Sequence, residues 1–192
     1  MLSAFEKALS TVALNEYNVY HGYDETDPAL AARIKTYWTD LSWKFPGVKT
    51  AWSAVFVSWC LKTAGASKTQ FAFSPEHSKF VHWAIHNAET GSGLFRAYPI
   101  TECTPSIGDI IHNNRPKKKL TFKYAAEHDD YPSHSAVVVA TGHDASGHYA
   151  MTVGGNEGEP GSVRRRRVTL NDEGLIVQNP DRPFISVIQT LK

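Results

Sequence analysis

Between Ala51 and Leu61 the chain reads Ala-Trp-Ser-Ala-Val-Phe-Val-Ser-Trp-Cys-Leu, which places apolar side chains on nearly every face of a helix. A helix that is apolar all round must be covered on all sides, by lipid or by the rest of a protein. It is too short for lipid. A membrane span needs roughly 18 apolar residues in a row, and no run in this chain reaches that length. The segment therefore predicts a helix at the centre of a domain, starting near Thr50 as N-cap and stopping at Gly65.

The elements that cover it can be placed from periodicity. Ala4, Phe5, Ala8, Leu9, Val12 and Ala13 form one stripe of a first helix. Asp27-Pro28 opens a second, with Asp as N-cap and Pro in the first turn; its apolar positions include Leu30, Ile34, Tyr37, Trp38 and Leu41. Ser74-Pro75-Glu76 starts a fourth, carrying His77, Phe80, Val81, Ala84 and Ile85. Beyond residue 100 the pattern changes to strands: Ile107 to His112, His134 to Ala140, His148 to Val153, Val163 to Leu170 and Ile185 to Leu191. Gly154 to Gly158 reads as a loop, and Asn113 to Pro132 as a polar, insertion-like loop. Helices first and a meandering antiparallel sheet second predict an α+β domain, with N-terminal helices packed on a central antiparallel sheet.

Composition narrows the functional classes. Hydrophobic residues make up 42% of the 192, enough for one core and too many for a disordered chain. Twenty basic and nineteen acidic residues leave a net charge of +1, so the balance calls for no polyanionic partner. The basic runs Lys117 to Lys119 and Arg164 to Arg167 lack the aromatic interleaving of a nucleic-acid surface, and alternate arginines on a strand point to opposite faces. No nucleic-acid partner and no membrane insertion are expected. Cys60 and Cys103 are too few for a disulfide scaffold or a cysteine zinc site, and read as reduced thiols. The N-terminus carries no Sec-type apolar stretch.

Three residues carry the candidate chemistry. Ser53 falls in the first turn of the buried helix, where free amides and the helix dipole favour a developing oxyanion. His134 opens a buried strand, where its neighbours fix the ring while it reaches a cleft as a general base. Asn156 follows a neighbouring strand, where a side-chain amide could hold one imidazole nitrogen and leave the other free for a proton. Each has a plain structural alternative: a helix-start serine, a loop histidine, a turn asparagine. Cys60 lies about 10.5 Å further along the helix, away from its electropositive end, and reads as an inert core thiol. His82 and His86 stand four apart on one helix, but no glutamate follows His82 as a zincin motif requires, so no metal or other cofactor is expected.

These segments resemble a known group. Ala51 to Leu61 resembles the helix-start motif of papain-like cell-wall hydrolases of the NlpC and CHAP types. Pro105 to Ile110 resembles their strand entering the sheet, His134 to Val138 their histidine strand, and Val153 to Asn156 their third polar position. Closer still is the resemblance to the bacterial domain-of-unknown-function family 2272, with its Trp-Ser-Ala helix motif and a histidine-bearing helix like Ser74-Pro75-Glu76-His77. The resemblance implies one papain-like domain over residues 1–192, with 1–44 as a helical N-terminal extension and 45–192 as the catalytic core. It implies a peptidoglycan hydrolase cutting an amide bond with Ser53, His134 and Asn156, and with Trp52, His77 and Asp109 on the substrate side. Related amidases carry Cys at the position of Ser53. Because the closer family itself reads Trp-Ser-Ala, Ser53 is read as a native serine nucleophile, with a silenced Cys-to-Ser variant and a peptidoglycan-binding remnant as the alternatives. Action in the periplasm or cell wall without a Sec signal implies specialised secretion or phage release. A toxin delivered in this way implies an immunity protein that blocks the cleft.

Overall fold

The computed structural model describes residues 1–192. Four helices come first: α1 (Ala4–Tyr20), α2 (Pro28–Asp40), α3 (Ser53–Thr63) and α4 (His77–Glu89). They are followed by β1 (Phe95–Pro99), β2 (Ile110–Asn114), the short α5 (Phe122–Glu127), β3 (Ser133–Asp144), β4 (Gly147–Glu157), β5 (Ser162–Thr169) and β6 (Phe184–Thr190). The strands make one six-stranded sheet, ordered β1-β6-β2-β3-β4-β5 and antiparallel throughout. The α+β expectation holds. Two elements escaped the sequence reading: β1, which has only five residues, and α5, which lies inside the supposed Asn113 to Pro132 loop.

The all-apolar segment does become the central helix. Every residue of α3 from Ser53 to Leu61 is buried, and the helix packs on α1, α2, β3 and β4. Its C-terminus closes as the glycine predicts. Gly65 N–H donates to the Lys62 carbonyl and Ala66 N–H to that of Leu61, with Gly65 at φ +104°, a region that favours glycine.

The sheet's two faces follow from strand alternation. Ile110, Val137, Val139, Val153 and Ile188 join the main core under the helices. Ile111, Val138, Ala150 and Val187 join a smaller cluster with Ile100, Cys103, Leu170 and Ile176 from the connecting segments. Residues 1–44 do more than extend a core formed elsewhere. Phe5, Leu9 and Ala13 of α1 and Leu30, Ile34 and Tyr37 of α2 are buried in the same main core. Both cysteines are free and buried, and burial pushes the Cys60 thiol well above its ordinary pKa. No helix is long and apolar enough to cross a membrane.

β4 contains the most informative difference. The Gly154-Gly155 pair, expected to mark a loop, lies within the strand. A Cβ on Gly155 would sit 2.5 Å from the Trp52 ring and 2.7 Å from Phe56, so the glycine is there to let β4 approach α3. Asn156 then adopts φ +55°, and the pairing with β5 shifts register between Gly154 and Glu157. This bulge moves the side-chain alternation by one residue.

Candidate active site

The helix α3 begins two residues later than expected. Trp52 is its N-cap and Ser53 its first residue. The first helical backbone bond is Phe56 N–H to the Trp52 carbonyl, so the amides of Ser53, Ala54 and Val55 have no carbonyl partner within the helix. Ser53 is therefore at the electropositive end, as its assignment requires. Ser53 is 2% exposed and borders a cleft of about 370 Å³ between the α3 start, the α4 start and the segment 130–133.

The imidazole in contact with Ser53 is His77, the first residue of α4. Ser53 Oγ lies 2.7 Å from His77 Nε2. Arg115 donates to the same oxygen at 3.3 Å and, through Nε, to the Ser133 carbonyl at 3.0 Å. Because a guanidinium only donates, Ser53 Oγ accepts from Arg115 and its own proton is free for His77 Nε2. Burial holds His77 well below the ordinary histidine pKa, and the nearby His134, His112 and Arg115 charges act in the same direction. A neutral His77 with an unprotonated Nε2 is a proton acceptor already in place.

His134 sits where the sequence placed it, at the second residue of β3, but its hydrogen bond goes elsewhere. Its Nε2 is 3.0 Å from Glu157 Oε1, and its Nδ1 is buried with no protein partner. Glu157 also pairs with Arg166 through its other oxygen. Burial would raise the Glu157 pKa, yet the hydrogen bond from His134 and the charges of His134 and Arg166 bring it down to about 2. An ionised carboxylate only accepts, so the proton in this contact sits on His134 Nε2. The His77 and His134 ring centroids are 5.3 Å apart.

Asn156 does not orient His134. The register shift at Asn156 delivers Glu157 to that face instead, beside Gly154, where a Cβ would lie 2.8 Å from Glu157 Oε1 and 3.1 Å from His134 Nε2. Asn156 points the other way. Its Oδ1 accepts from the Trp52 amide at 3.3 Å and its Nδ2 donates to Glu25 Oε2 at 3.0 Å. It fastens the start of α3, one residue before Ser53.

Two residues expected on the substrate side are structural in their contacts. Trp52 is fully buried, and its indole N–H donates to Glu25 Oε2 at 2.9 Å. Asp109 is 1% exposed and accepts from the Ser106 and Thr190 amides at 2.7 and 2.9 Å, at the opposite end of β2 from the Asn113–His134 pair. Burial raises its pKa to about 7. His82 donates from Nδ1 to the Ala125 carbonyl and His86 is exposed; no three His, Cys, Asp or Glu side chains are grouped to hold a metal. The Arg164 to Arg167 run is dispersed, with Arg165 over Tyr17, Arg166 on Glu157 and Arg167 on Asp144.

Sequence reasoning missed Arg115, Glu157 and Glu25. Glu157 stands one residue from the position expected, and only the bulge separates the two. Arg115 sits just ahead of the lysine run, and no spacing marks it. Glu25 is in the turn between α1 and α2, over a hundred positions from Asn156.

The buried histidines make the fold acid-sensitive. His112, held between Ser135 Oγ at 2.8 Å and Tyr131 Oη at 3.3 Å, is pushed by burial to about 3. Below pH 6.5 the unfolded chain binds protons that His112 and His77 in the folded chain cannot, so stability falls as pH falls, by roughly 1.4 kcal/mol per unit per group. Asp109 acts oppositely, because its raised pKa lets the folded chain bind a proton first between about 7 and 3.8. Two losses against one gain leave a net fall in stability between pH 6.5 and 4.5. Urea denaturation across that range should show it, and His112→Phe should flatten the slope. A stability that rises toward pH 4.5 would contradict the assignment of neutral buried rings.

No curated protein and no solved structure matches the chain. One family model does, over residues 20–187, a span that runs from the end of α1 into β6 and includes Glu25, Ser53, His77, Arg115, His134 and Glu157. That span covers well over half of the chain, and the protein belongs to the bacterial family described as "Uncharacterized protein conserved in bacteria (DUF2272)".

Proposed function

We propose that this protein is a serine hydrolase that cuts an amide bond, with bacterial peptidoglycan as its substrate. The observation that carries the chemistry is the 2.7 Å contact between Ser53 Oγ and a desolvated His77 at the free N-terminus of a buried helix. A hydroxyl is hard to ionise alone and needs a base that takes its proton during attack. His77 is in hydrogen-bonding reach and burial favours its neutral form, so it meets both the geometric and the protonation requirement.

In this reading Ser53 Oγ bonds to the carbonyl carbon as its proton passes to His77 Nε2. The oxyanion collects hydrogen bonds from the unpartnered amides at the start of α3. When the C–N bond breaks, the proton on His77 goes to the departing amine. Water, deprotonated by the same nitrogen, then cleaves the ester and restores Ser53. His134 is a positioning and electrostatic partner. Glu157 anchors its ring through Nε2, and the ring centroids of His134 and His77 are 5.3 Å apart.

The peptidoglycan assignment rests on the resemblance of the Trp52-Ser53-Ala54 and His134 segments to cell-wall amidases, and so do the papain-like classification, periplasmic action and the immunity-protein partner. The alternative, a module that holds wall peptide without cutting it, differs in one outcome. Mass spectrometry of purified peptidoglycan incubated with the protein should show released fragments, and His77→Ala should reduce their rate by about 10²–10⁴-fold, the usual contribution of a general base. Binding without fragments at any protein concentration would favour the module. Fragments unaffected by His77→Ala would remove His77 from the chemistry.

A further inference from the structure

Arg115 and Arg182 line one cleft of about 290 Å³ beside His134 and Glu157, and Arg115 also borders the Ser53 cleft. Both side chains are half-buried and neither forms an ion pair. Two cations brought together without a counter-charge cost stability, since like charges repel and partial burial weakens their solvation. The effect is visible in Arg115, whose pKa is lowered first by burial and then by the charge of Arg182. The acidic residues facing them compensate only in part: the Glu157 charge opposes the lowering of the Arg115 pKa without cancelling it. Glu157 is committed to His134 and Arg166, and Glu159 is exposed at the rim.

The cleft is polar throughout. None of the lining residues is hydrophobic, so a nucleobase or an acyl chain finds no surface to stack on. What suits it is a small planar anion, which a guanidinium grips with two parallel hydrogen bonds.

We infer that Arg115 and Arg182 form a carboxylate-binding subsite next to Ser53, which selects peptides carrying a free carboxylate beside the amide that is cut. That the bound peptide is cut rests on the hydrolase reading, but the subsite is measurable without turnover. Ser53→Ala protein would be titrated calorimetrically with two N-acetylated, C-terminally amidated Ala-γ-Glu-Lys peptides, one with the glutamate α-carboxyl free and one with it amidated. The free-acid peptide should bind tighter by on the order of 10- to 100-fold, the usual worth of a charge-assisted pair. Arg182→Gln should erase most of that preference and Arg182→Lys should restore part of it. Lys118→Gln, which removes the same charge from the exposed neighbouring loop, should leave it unchanged.

Circular dichroism melts of each variant show whether it is folded before its binding is compared. Equal binding of the two peptides, no binding of either, or a preference that survives Arg182→Gln would overturn the subsite. Preference without any cleavage by the unmodified protein would uphold the subsite and count against the hydrolase reading. Cleavage that ignores the carboxyl group would do the reverse.

Discussion

Ser53→Ala should lower peptidoglycan cleavage to the uncatalysed background, a loss on the order of a million-fold if the serine is the nucleophile. The reason is chemical. His77 would retain its place and its neutral charge, but no oxygen would remain within its reach to activate. The structural penalty should be modest, because the substitution removes one small side chain and leaves His77 Nε2 without its partner. An unsatisfied buried acceptor costs about 1–3 kcal/mol, which leaves the protein folded at room temperature. Fragment release measured by mass spectrometry, beside a thermal melt, separates the two effects. A Ser53→Ala protein that still releases fragments at the original rate would end the serine mechanism. Ser53→Cys is informative in the other direction. A thiolate is stabilised at a helix N-terminus, so activity appearing only in that variant would identify a cysteine site rendered silent by serine.

Glu157→Ala should be the most destabilising single change near the site. It strips the acceptor from His134 Nε2, which is buried, and the counter-charge from Arg166. Removing one member of a buried charged pair costs about 3–5 kcal/mol. For a domain of this size that is a fall of about 10 °C in Tm. Glu157→Gln keeps an acceptor near His134 while losing the charge, so it should destabilise less and still slow turnover, because the His134 ring is no longer anchored by an acceptor-only group. Thermal unfolding of the two variants gives the comparison. Equal melting temperatures for Glu157→Ala and the unmodified protein would show that the His134–Glu157–Arg166 chain is not held as described.

The two predictions involve residues of different legibility. Ser53 could be found because its neighbours constrain it: an all-apolar helix has one end, and a polar residue at that end stands out. His134 could be found because a buried Val-rich strand begins beside it. His77 was visible only through the family-like Ser-Pro-Glu-His segment, and its direct contact with Ser53 depends on how α4 approaches α3, which periodicity does not describe. Trp52 and Asp109 were legible as neighbours of interest but not as buried structural groups, since burial depends on what packs against them. The same limit applies to residues 1–44, which read as an extension but supply α1 and α2 to the main core.

The sequence by itself determined the central helix, its glycine stop, the helices-then-strands order and the electropositive position of Ser53. All of these follow from local patterns, in which a residue's neighbours within a few positions carry the information. Tertiary structure alone decided which groups meet. Ser53 meets His77 across 24 residues and Arg115 across 62, while Asn156 meets Glu25 across 131. The exchange of Asn156 for Glu157 is the sharpest case. A single left-handed residue where β4 passes under α3 shifts the alternation by one position, and a strand with period two turns that shift into a different side chain at the site.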